Sequence, residues 1–126
     1  MFELSIKSKF SSAHFLREYE GKCENLHGHN WKVEMVLRGK ELNKIGLLMD
    51  FKDMKNTLNL VLDELDHKLI NDIEFFKSNN PSCENIAFYL HKILSEKLNG
   101  DKVNVAKVIV WETDDASATF TENIEI

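Results

Sequence analysis

His14, His27 and His29, with Cys23 close by, are the residues of this sequence best suited to chemistry. They stand in Phe10-Ser11-Ser12-Ala13-His14 and in Cys23-Glu24-Asn25-Leu26-His27-Gly28-His29-Asn30. Three neutral imidazoles are the donor set of an open catalytic zinc site, which keeps a fourth position for water or substrate. Copper and iron accept the same ligand type. A thiol beside such a site becomes a nucleophile or base once it loses its proton, and a nearby cation eases that loss. The competing reading makes Cys23 a fourth ligand in a closed structural site. Structural zinc sites normally carry more thiolates, often as C-x-x-C, and this chain has only Cys23 and Cys83. The plainest alternative is a trio of exposed polar residues on a hairpin.

Other residues add weaker signals. Asp66-His67 follows a helical stretch. It reads either as a polar pair at a helix end or as an imidazole that exchanges protons with Cys23 while Asp66 orients the ring. Glu112 follows the apolar run Val108-Ile109-Val110-Trp111. A carboxylate there either meets solvent or a salt bridge, or accepts from both prongs of a flat N–C–N edge. His91, within a helical pattern, is expected at the surface.

These residues need elements to hold them. Phe2, Leu4, Ile6, Ser8, Phe10, Ser12 and His14 share one parity, the period of a strand. Trp31, Val33, Met35 and Leu37 alternate with Lys32, Glu34, Val36 and Arg38 in a second strand that Gly39 closes. His27 and His29 share the parity of Trp31, so a strand starting there puts both on one face. Two adjacent antiparallel strands then bring the three histidines together. Phe51, Met54, Leu58, Val61 and Leu65 form a helical stripe with Asp50 as its N-cap. A second helix is expected from about Ser82 to Leu98, after Pro81 and before Gly100, with Ile86, Leu90, Ile93 and Leu94 on its apolar face. Strands follow at Val103 to Thr113 and Ala118 to Ile126, joined by Asp114-Asp115. The order ββααββ predicts an α+β fold: a four-stranded antiparallel sheet with two helices on one face. The uncovered face predicts a homo-oligomer.

The 126 residues suit one domain, 1–126. A net charge of -5 weighs against nucleic acid, whose binding proteins carry basic faces. No apolar run approaches the ~20 residues of a membrane span. The N-terminus lacks the basic start and apolar stretch of a signal peptide, so cytoplasm is the expected compartment. The two cysteines are expected to be reduced there, although a disulfide between them remains open.

Taken in order, Phe10 to His14, Cys23 to His29, Met49-Asp50-Phe51, Leu65-Asp66-His67, Pro81 to Asn85 and Trp111-Glu112-Thr113 resemble the 6-pyruvoyltetrahydropterin synthase / 6-carboxytetrahydropterin synthase family. The resemblance covers nearly the whole chain. It implies the T-fold, whose subunits assemble into barrels, typically a hexamer made of two trimers. It implies zinc on His14, His27 and His29, with Cys23 as the proton acceptor. It implies a relay through Asp66 and His67, contributed across a subunit interface, and Glu112 as the anchor of the pterin ring. Ser82 and Glu84 match a segment lining the pterin pocket.

The three residues between Cys23 and His27 make the chain most similar to the bacterial 6-carboxytetrahydropterin synthases of queuosine and 7-deazaguanine biosynthesis. The implied reaction is a zinc-dependent lyase step. It converts 7,8-dihydroneopterin triphosphate to 6-carboxy-5,6,7,8-tetrahydropterin, releasing triphosphate and acetaldehyde. A pyruvoyl product is an alternative. So is 6-hydroxymethyldihydropterin, made by a folate-type branch that uses a glutamate near the position of Glu24. The favoured reading of Glu24 is nevertheless a solvated loop charge. Ser82-Cys83 stands where Thr-Ser or Thr-Ala is commoner. Lys7, Lys9, Arg17 and Lys22 are candidates for the triphosphate, each more readily an ordinary surface charge.

Overall fold

A computed structural model describes residues 1–122. Strands β1 (Phe2–His14) and β2 (His27–Gly39) come first. Helix α1 (Phe51–Asp63), the one-turn helix α2 (Glu74–Ser78) and helix α3 (Cys83–Leu98) follow. Strands β3 (Asn104–Thr113) and β4 (Ala116–Thr121) complete the sheet. The four strands are antiparallel in the order β1-β2-β3-β4, a meander with the helices inserted between its second and third strands.

The alternation read from the sequence is the pleat of this sheet. Phe10, Ser12 and His14 of β1 and Trp31, Val33, Met35 and Leu37 of β2 are buried on one face. Val108 and Val110 of β3 join them. Helix α1 covers this face with Met54, Leu58, Val61 and Leu62, and α3 with Ile86, Ala87, Leu90 and Leu94. Each long helix starts at the expected cap. The Asp50 carboxylate accepts from Lys52 N at 2.8 Å, and Ser82 Oγ accepts from Asn85 N at 3.1 Å. Gly39 ends β2 where a Cβ would collide with the Lys102 carbonyl.

The structure departs from expectation in three places. Helix α2 and a 3₁₀ turn at Ile70–Asp72 lie between the long helices. Segments this short carry no repeating apolar stripe, so periodicity does not show them. Strand β4 starts at Ala116 because the Asp114-Asp115 turn is tight, and Ala116 already pairs with Thr113. The expected continuation of that strand over 123–126 lies outside the described residues. His91 is buried rather than at the surface: it shares a packed face with Leu90, and its Nε2 donates to the Val105 carbonyl at 3.0 Å. That bond satisfies the ring and permits its burial.

The helix-free face is polar. Glu3, Ser5, Lys7, Lys9, Lys32 and Arg38 are exposed on it. Lys7 and Lys9 therefore point away from the face that carries the histidines.

Candidate metal centre

His14 ends β1 and His27 begins β2, and the two are direct partners in the ladder. Ser12 pairs with His29, and Phe10 with Trp31. Facing residues of an antiparallel pair share a face, so all three imidazoles project to the helix-covered side. Trp31 is their floor, with its ring 4.9 Å from His14 and 5.1 Å from His29, both edge-on. Its Nε1 donates to the Ser12 carbonyl at 3.1 Å, and it stacks on Phe10 with ring centroids 5.8 Å apart.

The fourth participant is Glu112. One donor atom from each of His14, His27, His29 and Glu112 lies within 4.8 Å of the others. His14 Nε2 is 3.0 Å from His27 Nε2 and 3.2 Å from Glu112 Oε1, and His29 Nε2 is 3.5 Å from the same oxygen. Tetrahedral donors bonded at 2.0–2.1 Å to one zinc ion would stand about 3.3–3.4 Å apart. The register of β3 against β4 shifts between Trp111 and Thr113, so Glu112 has no partner on β4. Such irregularities re-aim side chains at sheet ends.

Hydrogen bonding fixes the imidazole tautomers. His14 Nδ1 lies 2.7 Å from the Pro81 carbonyl, and His27 Nδ1 lies 2.8 Å from the Asn25 carbonyl. A carbonyl only accepts, so each Nδ1 carries a proton, and in the neutral ring Nε2 is then a bare lone pair. Two bare nitrogens at 3.0 Å repel unless a proton or a metal ion lies between them. His29 Nε2 is buried without a hydrogen-bond partner. Burial, opposed by the Glu112 charge, holds the His29 ring below its ordinary imidazole value. An orphaned buried acceptor normally costs about 1–3 kcal/mol. A metal ion answers all three features at once, and carbonyls on the far ring nitrogens are the usual second support of histidine ligands.

The remaining sequence candidates are distributed around this centre. Cys23 is exposed on the loop after β1 and is not among the four donors, so an oxygen rather than a sulfur stands beside the imidazoles. The loop is pinched at its base: Glu24 N donates to the Leu16 carbonyl at 2.8 Å, and Leu16 N donates to Glu24 Oε1 at 3.2 Å. Glu24 is thus not the solvated charge expected of it. Its carboxylate is held against backbone, 4.0 Å from His27 Nδ1.

Asp66 and His67 pair with each other at 2.8 Å. They lie along the outer edge of β1, where Ser11 N donates to Asp66 Oδ1 at 2.8 Å and His67 N donates to the Ser11 carbonyl at 2.6 Å. The Ser11 amide first, then His67, holds the Asp66 carboxyl below its ordinary value. His67 is 82% exposed and adopts a left-handed backbone, φ 55°.

Ser82 is occupied as the cap of α3. Glu84 lines a cavity of about 440 Å³ with Cys83, Glu112 and Ala116 to Thr119. The Cys83 thiol donates to the Val110 carbonyl at 3.1 Å, and burial pushes it up to about 11, so it stays protonated. Arg17 is spent on structure: its guanidinium donates to the Phe76 carbonyl and, at 3.3 Å, to that of Asn79. Lys22 is exposed in the loop. Sequence reasoning missed the Pro81 and Asn25 carbonyls, because any residue type supplies a carbonyl. It also missed Trp31 as the floor, although the parity shared with His27 and His29 was visible.

A family profile described as 6-pyruvoyl tetrahydropterin synthase matches residues 3–123. A putative 6-carboxy-5,6,7,8-tetrahydropterin synthase of Archaeoglobus fulgidus is 38% identical over 113 residues, covering 89% of each chain. A dihydroneopterin monophosphate aldolase of Pyrococcus furiosus is 36% identical over 106 residues, covering 84% of this chain and 85% of its own. The structure of Caenorhabditis elegans 6-pyruvoyl tetrahydropterin synthase superposes with a TM-score of 0.85 at 30% identity, covering 97% of this chain and 96% of the other. The fold is therefore the T-fold anticipated from the motifs. The chain belongs to the 6-pyruvoyl tetrahydropterin synthase family, which includes the 6-carboxytetrahydropterin synthases.

Proposed function

We propose that this chain is a zinc-dependent lyase that converts 7,8-dihydroneopterin triphosphate and water to 6-carboxy-5,6,7,8-tetrahydropterin, releasing triphosphate and acetaldehyde. The observation carrying the reading is the set of three imidazole nitrogens converging beside a carboxylate that also lines a cavity. His14, His27 and His29 would hold the zinc, which when bound supplies Lewis acidity to the substrate's side-chain hydroxyls. Glu112 takes the 2-amino–N3 edge of the pterin and, with Glu84 nearby, orients the ring in the cavity. Ser82 serves the same wall by starting α3. Cys23, as thiolate, removes the proton from the activated side-chain carbon. His67, steadied by Asp66, exchanges that proton with Cys23.

His67 points outward, which suits a relay completed between copies in a homohexameric barrel built as a dimer of trimers. The product would feed queuosine and other 7-deazaguanines in the cytoplasm. No helix of the described residues is long and apolar enough to cross a membrane.

One observation favours a second reading. Glu24 lies 4.0 Å from His27 Nδ1, whereas Cys23 is exposed. A carboxylate base there suits formation of 6-hydroxymethyldihydropterin, and a relative bears the name of an aldolase. Incubating zinc-loaded protein with dihydroneopterin triphosphate and identifying the products by mass spectrometry decides between them. Acetaldehyde with 6-carboxytetrahydropterin supports the first reading. A glycolaldehyde-type fragment with the hydroxymethyl product supports the second. A pyruvoyl product, or none, refutes both.

A further inference from the structure

Beyond His14 the chain of β1 runs on as a stem, 15–17, into the loop that carries Cys23 and Glu24. Two asparagine side chains grip this stem. Phe15 N donates to Asn71 Oδ1 at 3.1 Å, and Asn71 Nδ2 donates to the Phe15 carbonyl at 2.9 Å. Arg17 N donates to Asn80 Oδ1 at 2.8 Å, and Asn80 Nδ2 donates to the Arg17 carbonyl at 2.9 Å. A side-chain amide offers one donor group and one acceptor, as a backbone residue does, so each asparagine stands in for a neighbouring strand. Leu16, between them, is satisfied by Glu24 instead.

Asn80 also sits at a corner that serves the metal centre. Its own carbonyl accepts from Asn85 Nδ2 at 2.9 Å, which ties it to the first turn of α3. The next carbonyl, that of Pro81, is the one 2.7 Å from His14 Nδ1. One two-residue segment therefore holds a candidate metal ligand through its backbone and the loop stem through its side chain.

We propose that Asn80 is a positioning residue that fixes the reach of the loop bearing Cys23 and Glu24 relative to the three imidazoles. The proposal rests on the reading above, in which this loop supplies the base, and it names what keeps that base in range. Asn80 is not among the metal donors and does not line the cavity beside Glu112, so its loss leaves ion and ring sites in place. It acts instead on proton removal, where a misplacement of about 1 Å costs about 100-fold. The loop tip has little else to restrain it: 18–23 is exposed, and Glu18, Glu20 and Gly21 are left-handed.

Three variants test this in zinc-loaded protein. Asn80→Ala removes both bonds to Arg17. Asn80→Asp keeps the shape and the acceptor but turns a second oxygen toward the Arg17 carbonyl, and it carries the test if the alanine variant does not fold. Asn79→Ala is the neighbouring control, because its side chain bonds to the Phe75 carbonyl, away from the stem. Hydrogen exchange read by mass spectrometry should be at least about 10-fold faster over 15–26 in both Asn80 variants, with wild-type protection in the rest of the sheet and throughout Asn79→Ala. Turnover of dihydroneopterin triphosphate should show kcat lowered about 10- to 100-fold and KM within about threefold of wild type. Zinc affinity, from competition with a chelator, should stay at the wild-type value.

A merely structural Asn80 would raise exchange throughout the chain and leave kcat per folded molecule unchanged. That result overturns the proposal. So does unchanged exchange over 15–26, faster exchange there with unaltered kcat, or a zinc affinity that falls as far as kcat does. If wild type itself does not turn the pterin over, the base reading falls, and exchange then decides the grip alone. Acceleration confined to 15–26 upholds it, and no acceleration overturns it.

Discussion

Zinc binding should be visible as thermal stability, and His29→Ala is the perturbation that isolates the reason. The metal centre joins the end of β1, the start of β2 and the end of β3. An ion that binds only the folded arrangement stabilises it by about 4.1 kcal/mol when free zinc is about 1,000 times its dissociation constant. For 126 residues, an unfolding entropy of roughly 2.1 cal/mol/K per residue gives about 0.26 kcal/mol/K in all. The expected rise in Tm is therefore about 15 °C. Each tenfold loss of affinity removes about 1.4 kcal/mol, or about 5 °C of that rise. In His29→Ala the zinc-dependent shift should nearly vanish.

Without zinc the same substitution removes a buried nitrogen that lacks a partner, worth about 1–3 kcal/mol of relief, and loses packing against Trp31. In the metal-free protein the relief alone would raise Tm by about 4–11 °C, and the lost packing works against it. Circular dichroism melts of both proteins, with chelator and with buffered zinc, measure all four values. A wild-type Tm indifferent to zinc, or an equal shift in His29→Ala, refutes the metal centre.

Cys23→Ala should retain zinc and pterin binding while turnover falls by about 10²–10⁴, the usual worth of a positioned base; unchanged turnover removes Cys23 from the chemistry. Glu24→Gln keeps an oxygen for Leu16 N, whereas Glu24→Ala does not. If Glu24 only pins the loop, Gln should preserve the product profile and rate that Ala loses; if it is the base, Gln should abolish the hydroxymethyl product as fully as Ala does. Asp66 has a folded value below its ordinary 3.8, so its stabilising contribution is complete above 3.8 and is lost as pH falls through the lower folded value. Urea unfolding of wild type and Asp66→Asn should differ at pH 6 and converge in strong acid; a gap that widens on acidification reverses the assigned sign.

The parts of the molecule legible in the sequence are those set by short periods. Parity placed His14 with Phe10, and His27 and His29 with Trp31, and the β1–β2 ladder obeys it residue for residue. The caps Asp50 and Ser82 were readable because each must accept from an amide two or three positions on. What escaped depends on contacts distant in sequence. His91 has the spacing of either a surface or a core residue, and only its approach to the Val105 carbonyl decides. Glu24 looked solvated because nothing in its neighbourhood announces the amide of Leu16, eight residues earlier. Glu112 was legible as a carboxylate needing a partner, with solvent, a salt bridge and a flat organic edge all open, and the two imidazoles it faces follow from strand register across the sheet.

This division between short-range and long-range determination also separates what is fixed in the site from what is adjustable. The three imidazoles are set by strand register, their floor by Trp31, and two of their tautomers by backbone carbonyls. Changing any of these means shifting the sheet or the start of α3. The candidate bases sit elsewhere. Cys23 lies on a loop with left-handed residues at Glu18, Glu20 and Gly21, within the segment that the Leu16–Glu24 pinch closes. His67 lies on the outer edge of β1. A rigid centre that activates a side chain, combined with bases carried on separate loops, lets one scaffold direct bond breaking to different carbons. On the proposed reading, the adjacent pair Cys23-Glu24 would place two candidate bases of different reach on one loop, and the outcome would depend on which of them the loop brings to the substrate, with the same three imidazoles as the candidate ligands.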